Sequence, residues 1–347
     1  MAVSTSKPKN VNRIGLSRTD YTGGLSTLCS GCGHDAITSQ IIKSFYEMGV
    51  NPYQVIKMSG IGCSSKTPAY FLNKAHGFNG VHGRMPSLST GAMLANRQLV
   101  CIGVSGDGDT GSIGLGQFCH LLRRNIPMIY VIENNGVYGL TKGQFSSTSD
   151  IGAELKTGVV NDLAPIDCCE LAIEMGCSYV ARSFAGDPKQ LVSLIQGALS
   201  HSGTSVLDII SPCVTFNNHD ASTKGYKWAK EHEELLHQID FVPHFELIEQ
   251  VDYEEGEVEE VEMHDGSHIR LQKLDRDHDP MNKNKALQMI RETTSKGEFL
   301  TGLIYVNPVA KNFLEVLNLT DQPLSQLSQD EVRPGPDALK EIMQELM

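Results

Sequence analysis

The chain has 347 residues, of which 40% are hydrophobic and 20% charged, and both values are ordinary for a globular protein. Its formal net charge of −12 at pH 7 argues against a nucleic-acid-binding function. Because no N-terminal segment resembles a signal peptide and no apolar run is long enough to span a membrane, we expect a cytoplasmic protein with reduced thiols and no membrane partner.

Residues 1–24 are predicted to form a polar N-terminal arm. Over residues 25–228, short apolar runs alternate with helical segments, which predicts an α/β domain with a doubly wound parallel sheet. The predicted strands lie at residues 55–58, 99–104, 128–132, 177–180 and 206–210.

Four cysteines lie in turn-like segments beside the predicted strands. Cys29 and Cys32 form a C-x-x-C turn, and Cys63 and Cys213 each follow an apolar run. If these segments converge at one sheet edge, four thiolates could bind zinc or an iron–sulfur cluster, whereas the C-x-x-C pair alone could be a redox dithiol. One pair with two isolated cysteines fits a [4Fe–4S] cluster better than zinc. The other five cysteines are expected to fill the core: Cys101, Cys119, Cys168, Cys169 and Cys177.

Polar residues also follow two successive predicted strands. Asp107 lies in a Gly-Asp-Gly turn, and Asn135 ends an Asn-Asn pair that comes after the next strand. Carboxylate and amide oxygens suit Mg²⁺, and ligands bind at the carboxyl ends of parallel strands. Gly106 and Gly108 would let the backbone approach a diphosphate closely. The pattern resembles the Mg–diphosphate signature of thiamine diphosphate (ThDP) enzymes, in which Val137 would add its backbone carbonyl.

The two sets of motifs together resemble the beta subunit of 2-oxoacid:ferredoxin oxidoreductases, of the 2-oxoglutarate type. The resemblance covers about residues 25–228 and implies a ThDP/Mg and [4Fe–4S]-binding domain. Ser30 stands where the family has a proline, and neither residue is a ligand. The matching segments are residues 29–34, 60–66, 81–84, 89–92, 106–109, 123–125 and 134–144.

This resemblance also implies the roles of individual residues. Cys29, Cys32, Cys63 and Cys213 would ligate the cluster. Asp107, Asn135 and Val137 would hold Mg²⁺. The predicted cofactor-binding residues are Ile61, Gly62, Cys63, Ser64, His82, Gly106, Asp107, Gly108, Asp109, Asn135, Val137, Gly139 and Leu140.

Three further side chains are candidates for catalysis. His82 could contact the cofactor or an intermediate, although a lone histidine is more often structural. Lys66 could pair with the carboxylate of a 2-oxoacid, or it could be a solvated lysine, and Arg84 could serve the same purpose. Leu140 is expected to shape the substrate pocket.

The resemblance implies oxidative decarboxylation of 2-oxoglutarate with coenzyme A (CoA) to succinyl-CoA and CO₂, with electrons passed singly through the cluster to ferredoxin, or the reverse carboxylation. Pyruvate, or a broad range of 2-oxoacids, is the alternative substrate. A non-redox ThDP decarboxylase or ligase with structural zinc is a second hypothesis, and a regulatory or assembly protein with a degenerate site is a third.

A partner chain is expected because ThDP activation needs a carboxylate against the aminopyrimidine ring, which a pyrimidine-binding domain supplies. The Gly-Asp-Gly and Asn-Asn pattern does not recur in the sequence. We therefore expect an alpha subunit that carries the pyrimidine- and CoA-binding domains, in a heterodimer that is doubled to α2β2.

Residues 229–347 are predicted to form a C-terminal extension that packs on the partner chain or over the cluster face. Alternation over residues 258–274, across Asp265-Gly266, predicts a β-hairpin. The acidic run at 254–262 is expected to be a solvated flank. Helical stretches are predicted from residue 281 onward, with a bend near Pro334 and Pro336.

Overall fold

The computed structural model describes residues 10–155, 157–243, 258–262, 268–273 and 278–346. Three predictions fall partly or wholly outside this range: the first nine residues of the arm, residues 254–257 of the acidic run, and the turn at Asp265-Gly266.

Strands and helices alternate through most of the described chain. The strands are β1 Val55–Ser59, β2 His76–Asn79, β3 Val100–Gly106, β4 Met128–Asn134, β5 Val137–Tyr138, β6 Gln144–Phe145, β7 Tyr179–Phe184, β8 Thr204–Ile210, β9 Glu233–Leu235, β10 His237–Val242, β11 Val258–Glu262, β12 His268–Lys273 and β13 Phe299–Val306. The helices are α1 Gly33–Glu47, α2 Met85–Ala95, α3 Leu115–Arg124, α4 Cys168–Glu174, α5 Pro188–Ser200, α6 Tyr226–His232, α7 Lys283–Ser295, α8 Phe313–Val316, α9 Gln329–Val332 and α10 Pro336–Glu345.

Eight of the described strands form one sheet in the order β2-β1-β3-β4-β8-β7-β13-β9. Within this sheet, the first six strands in that order, β2-β1-β3-β4-β8-β7, are parallel to one another. Strand β13 is antiparallel to β7, and β9 is parallel to β13. The described strands β10, β12 and β11 form a separate antiparallel sheet, and β5 pairs with β6.

Two apolar cores lie on the two faces of the main sheet. The first contains Phe45 of α1 and Leu191 of α5, and the second contains Phe118 of α3. Along β3, Ile102 enters the first core and Cys101 the second, because successive side chains of a strand point to opposite faces. Helices therefore cover both faces, and the predicted doubly wound α/β fold is confirmed.

All five predicted strands are present, as β1, β3, β4, β7 and β8. Strand β13 was not predicted, because it lies in the segment for which the sequence indicated helices. A short, continuous apolar run carries no periodicity that separates a buried strand from a buried helix. Seven of the eight side chains of β13 are apolar or glycine, and most are buried.

The predicted arm is not a loose segment over residues 10–24. Tyr21 is fully buried, and its ring meets Tyr46 of α1 edge to face with centroids 5.6 Å apart. Asn12 donates a hydrogen bond to the Tyr21 hydroxyl (2.7 Å) and another to the Tyr46 carbonyl (2.9 Å). The arm thus packs against the first helix of the domain.

The predicted C-terminal extension shares the sheet of the preceding domain, since β9 and β13 both lie beyond residue 228. Strands β11 and β12 pair in antiparallel register, as a hairpin requires. Among the described helices, none is long and apolar enough to cross a membrane.

Candidate functional site

The loops that follow β1, β2, β3 and β4 meet at the carboxyl edge of the sheet and line an open cavity. All thirteen residues predicted to bind the cofactor line this cavity, together with Tyr138 and Thr141, which were not predicted. Both additional residues lie inside the segment 134–144, so the sequence motif already contained them. The site is built from loops of neighbouring parallel strands, where ligands of such sheets bind.

Asp107 is almost fully buried at the base of this cavity. Its Oδ1 accepts a hydrogen bond from the backbone N–H of Asn135 (3.3 Å), and its Oδ2 accepts from the hydroxyls of Thr148 (2.7 Å) and Ser146. Burial raises the pKa of Asp107. A bound divalent cation would offset that effect and favour the ionised carboxylate.

Asn135 completes the oxygen-rich part of the site. Its Oδ1 accepts from the backbone N–H of Val137 (3.1 Å), and its own carbonyl accepts from the side-chain amide of Asn217 (2.8 Å). These contacts fix the amide group beside Asp107. The oxygens of Asp107, Asn135 and Val137 are the donor type that Mg²⁺ requires, so the residues present fit this ion.

Glycine is required at the Gly-Asp-Gly turn for reasons within the chain itself. A Cβ atom on Gly108 would lie 2.5 Å from the Tyr138 ring, and one on Gly106 would lie 2.8 Å from Ser64 Oγ. The Tyr138 hydroxyl also donates to the Gly108 carbonyl (2.9 Å). The loops after β1 and β4 therefore pack directly on the turn that carries Asp107.

The four predicted cluster ligands are brought together at the same edge. A Cβ atom on Gly139 would lie 3.6 Å from Cys63 Sγ and 3.7 Å from Cys213 Sγ. Burial raises the pKa of Cys32 and of Cys63, and the charge of Cys213 adds to the rise for both, as the charge of Cys29 does for Cys63. Each of the four thiols is thus an electrostatic neighbour of at least one other.

Burial is the largest cause of the raised thiol pKa values, about 12 for Cys32 and above the usual range for Cys63. Thiols in such surroundings ionise when a metal centre binds them. Within the described residues, no three His, Cys, Asp or Glu side chains are grouped as ligands of a single metal ion. In a [4Fe–4S] cluster each thiolate binds a different iron, and the four cysteine thiols are the donors that such a cluster needs, so the residues present fit this group.

Four of the five cysteines predicted to fill the core are buried: Cys101, Cys168, Cys169 and Cys177. The prediction is wrong for Cys119, which lies partly exposed on α3 and belongs to neither core.

Of the three catalytic candidates, only His82 lies among the described residues that line the cavity. Its Nδ1 contacts the Asp109 carboxylate, and its ring meets Tyr138 edge to face with centroids 6.0 Å apart. Lys66 donates instead to Thr27 Oγ1 (3.1 Å), and Arg84 donates to the Gly83 carbonyl (3.3 Å). Substrate binding by Lys66 or Arg84 stays a prediction.

Comparison with known proteins identifies the family of this chain. The family model described as "Thiamine pyrophosphate enzyme, C-terminal TPP binding domain" matches residues 60–209. The "2-oxoacid:ferredoxin oxidoreductase subunit beta" of Saccharolobus solfataricus is 38% identical over 224 residues, which are 63% of this chain and 70% of the relative. The chain belongs to this family of beta subunits. It is therefore a ThDP-binding subunit of an oxidoreductase, and family membership implies a partner subunit.

Two further relatives of this beta subunit carry the name of 2-oxoglutarate. The "2-oxoglutarate oxidoreductase subunit KorB" of Mycobacterium tuberculosis is 37% identical over 191 residues, covering 55% of this chain and 51% of the relative. A solved structure, "2-oxoglutarate:ferredoxin oxidoreductase from Magnetococcus marinus with 2-oxoglutarate, coenzyme A and succinyl-CoA bound", superposes with a TM-score of 0.72 and 28% identity. The superposition covers 95% of this chain and 96% of the Magnetococcus marinus chain.

Next to the predicted Mg²⁺ ligand Asp107, this beta subunit contains a buried polar network that was not predicted. Thr148 Oγ1 lies 2.8 Å from Asn134 Oδ1, and Asn134 Nδ2 donates to Asp208 Oδ1 (3.0 Å). Arg182 then donates to Asp208 Oδ2 (3.0 Å) and to Asp167 Oδ1 (2.7 Å). The network connects the carboxylate of the predicted Mg²⁺ ligand, through Thr148, to a buried ion pair on β7 and β8.

Proposed function

We propose that the chain is the beta subunit of a 2-oxoglutarate:ferredoxin oxidoreductase. The complete enzyme converts 2-oxoglutarate and CoA to succinyl-CoA and CO₂ and passes electrons singly through a [4Fe–4S] cluster to ferredoxin, or catalyses the reverse carboxylation. The observation that carries the proposal is the position of Cys63, which lines the same cavity as Asp107 and Asn135. A cluster bound there would adjoin the cofactor, as electron transfer between them requires.

The proposed ligands follow from the chemistry of the side chains. Asp107, Asn135 and the Val137 carbonyl would hold Mg²⁺ with the diphosphate, and Cys29, Cys32, Cys63 and Cys213 would hold the cluster. When bound, ThDP supplies the carbon nucleophile and electron sink for decarboxylation, and the cluster is a one-electron acceptor. A cytoplasmic location fits thiols that must stay reduced to bind iron.

The chain's own residues orient these groups. The turn at Asp107 is fixed by hydroxyls on one side and by the Asn135 backbone on the other. His82 and Tyr138 pack together at the cavity wall, where the His82 imidazole would contact a bound cofactor or intermediate and would be placed for general acid–base catalysis. Leu140 is half exposed at the rim and would contact the substrate side chain.

The proposed alpha subunit would close the cavity and supply the pyrimidine- and CoA-binding parts. Ile61 and Leu140 line the cavity and yet are 37% and 50% exposed. Apolar groups at the mouth of a polar site are expected where another chain covers them. A partner subunit agrees with the name of the Saccharolobus solfataricus relative, which is a beta subunit, and we propose that the αβ unit is doubled to α2β2.

The names of the relatives also bear on the choice of substrate. The Magnetococcus marinus and Mycobacterium tuberculosis proteins are named for 2-oxoglutarate, which favours a dicarboxylic substrate. The Saccharolobus solfataricus relative is named for 2-oxoacids in general, and a broad 2-oxoacid range is therefore the second candidate. Lys66 and Arg84, neither of which lines the described cavity, are the cations proposed to pair with a substrate carboxylate.

The proposal is tested with the complex of this chain and its partner, purified without oxygen. We expect 2-oxoglutarate with CoA to bleach the visible absorbance of the cluster faster than pyruvate with CoA does. Equal bleaching by both acids would favour the broad range. An iron-containing complex that neither acid reduces, even after addition of Mg²⁺ and ThDP, would contradict the proposed reaction.

A further inference from the structure

Asp109 is predicted from the sequence to line the cofactor, but its carboxylate is engaged within the chain. The residue is 2% exposed at the first position of the helical turn Asp109–Ile113. Its Oδ1 accepts from the backbone N–H of Gly83 (2.7 Å) and, at longer range, from that of Ile61 (3.4 Å). Its Oδ2 accepts from the Ser105 hydroxyl (2.6 Å).

These contacts join three separate segments of the chain. Ile61 lies in the loop after β1 that contains Cys63, Gly83 follows His82, and Ser105 belongs to β3, which leads into the Asp107 turn. The imidazole of His82 also contacts Asp109 Oδ1. One buried carboxylate therefore binds both of the loops that flank the turn of the predicted Mg²⁺ ligand.

Two glycines allow the loops to lie this close to the Asp109 turn. A Cβ atom on Gly60 would lie 2.0 Å from Asp109 Oδ2. A Cβ atom on Gly83, where φ is +71°, would lie 2.7 Å from the backbone nitrogen of Gly114. Each loop thus reaches the turn at a glycine, where any side chain would push the carboxylate or the backbone away.

We propose that Asp109 is a positioning residue, whose carboxylate fixes the loops of Cys63 and His82 relative to the Asp107 turn. The inference deepens the proposed function and rests on it where Cys63 is taken as a cluster ligand. Asp109 acts through the backbone N–H groups of Ile61 and Gly83, and it needs no contact with substrate or with the reacting atoms.

The test compares Asp109→Ala with Asp109→Asn in the complete complex. Alanine removes every contact, whereas the asparagine amide oxygen can still accept from both backbone N–H groups. We expect Asp109→Ala to lower kcat by about tenfold or more, because small misplacements of catalytic loops are costly. The KM for the 2-oxoacid should change much less, and the electron paramagnetic resonance spectrum of the dithionite-reduced cluster should shift. Asp109→Asn should restore most of kcat and the wild-type spectrum.

A second variant approaches the same contact from the other side. Gly60→Ala should displace the carboxylate and reproduce the Asp109→Ala phenotype, and it decides the matter if Asp109→Ala does not fold. Gly91→Ala, where a Cβ atom would meet nothing within 4 Å, is the matched control.

Two results would overturn the positioning role. One is an unchanged kcat and spectrum in whichever of Asp109→Ala and Gly60→Ala folds. The other is an Asp109→Asn variant as impaired as Asp109→Ala, since charge rather than placement would then matter. Failure of the proposed function would look different, because the wild-type complex itself would then lack iron or would not be reduced by either 2-oxoacid with CoA.

Discussion

The carboxyl edge of the sheet buries polar side chains, whereas the C-terminal segment from α8 to α10 exposes apolar ones. At the sheet edge, polar groups are buried: Asp107, Asp109 and Asn135 are each at most 5% exposed, and all have hydrogen-bond partners. The apolar residues Ile342 of α10 and Leu346, which directly follows that helix, are 54% and 81% exposed. The hydrogen bonds hold the buried polar groups of the sheet edge in fixed positions, whereas exposed apolar groups indicate a surface that another molecule covers.

The exposed residues of α10 have a regular spacing. Leu339, Ile342, Met343 and Leu346 follow the i, i+3, i+4, i+7 pattern, so they form one apolar stripe on the helix. The prediction that the extension packs on the partner chain applies to this stripe.

The largest effect is expected at the predicted Mg²⁺ ligand. Asp107→Ala should abolish Mg²⁺-dependent retention of ThDP, because the carboxylate of the ion site is lost, while the iron content stays unchanged. ThDP and iron are measured on the same purified sample, with the exposed Asp162→Ala as the control. Loss of both cofactors would show that the two sites are coupled in folding.

A second variant breaks the polar network behind Asp107. Arg182→Met leaves Asp208 and Asp167 without their cation, and an unpaired buried charge is costly. The free energy of unfolding should fall by about 3–5 kcal/mol. Urea unfolding measures this change, and the double variant Arg182→Met/Asp208→Leu should be less destabilised than the single one. A single variant as stable as the wild type would show that the buried ion pair contributes little.

The third prediction concerns pH and a buried lysine of β1. Lys57 donates to the carbonyls of Pro68 (2.7 Å) and Phe71 (2.8 Å), and burial lowers its pKa from 10.5 to about 8. Between these two pH values the unfolded chain keeps the proton that the folded chain has released. The free energy of unfolding should therefore rise with pH across that window, by up to about 3 kcal/mol.

Lys57→Met should remove this rise, whatever its effect on stability at neutral pH. Urea unfolding of both proteins at several values between pH 8 and 10.5 gives the two slopes. Equal slopes would contradict the assignment to Lys57.

The smallest effect on stability is expected on α10. Ile342→Ala should change the free energy of unfolding by less than about 0.5 kcal/mol, because the side chain is exposed. Ile304→Ala, at a fully buried position of β13, should cost about 2–5 kcal/mol and is the matched control. Ile342→Ala should nevertheless weaken co-purification with the partner chain. Unchanged co-purification would place the partner elsewhere.

The sequence indicated much of the site because its motifs lie at strand ends. Asp107, Asn135 and Cys63 each follow an apolar run, and a parallel sheet brings such strand ends to one edge. The partners of these residues were not predictable in the same way. Ser146 and Thr148 lie in a serine-rich segment that reads as an ordinary turn, and their hydroxyls reach Asp107 only through the tertiary fold.

The C-terminal half shows where pattern reasoning fails. Strand β13 pairs with its neighbour β7, from which it is separated by more than a hundred residues in sequence. Its apolar run is equally compatible with a helix.

Lys66 shows a similar limit in the prediction of functional residues, because its proximity to Cys63 in sequence does not bring it to the lining of the described cavity.

The most direct test of the account is the iron, sulfide and zinc content of this chain, purified with its partner in the absence of oxygen. The account predicts about four irons and four sulfides bound by this chain and no zinc, as for a single cubane cluster. Cys213→Ala should lose this iron, and the buried Cys169→Ala should keep it. Stoichiometric zinc without iron would contradict the account and favour the non-redox ThDP enzyme.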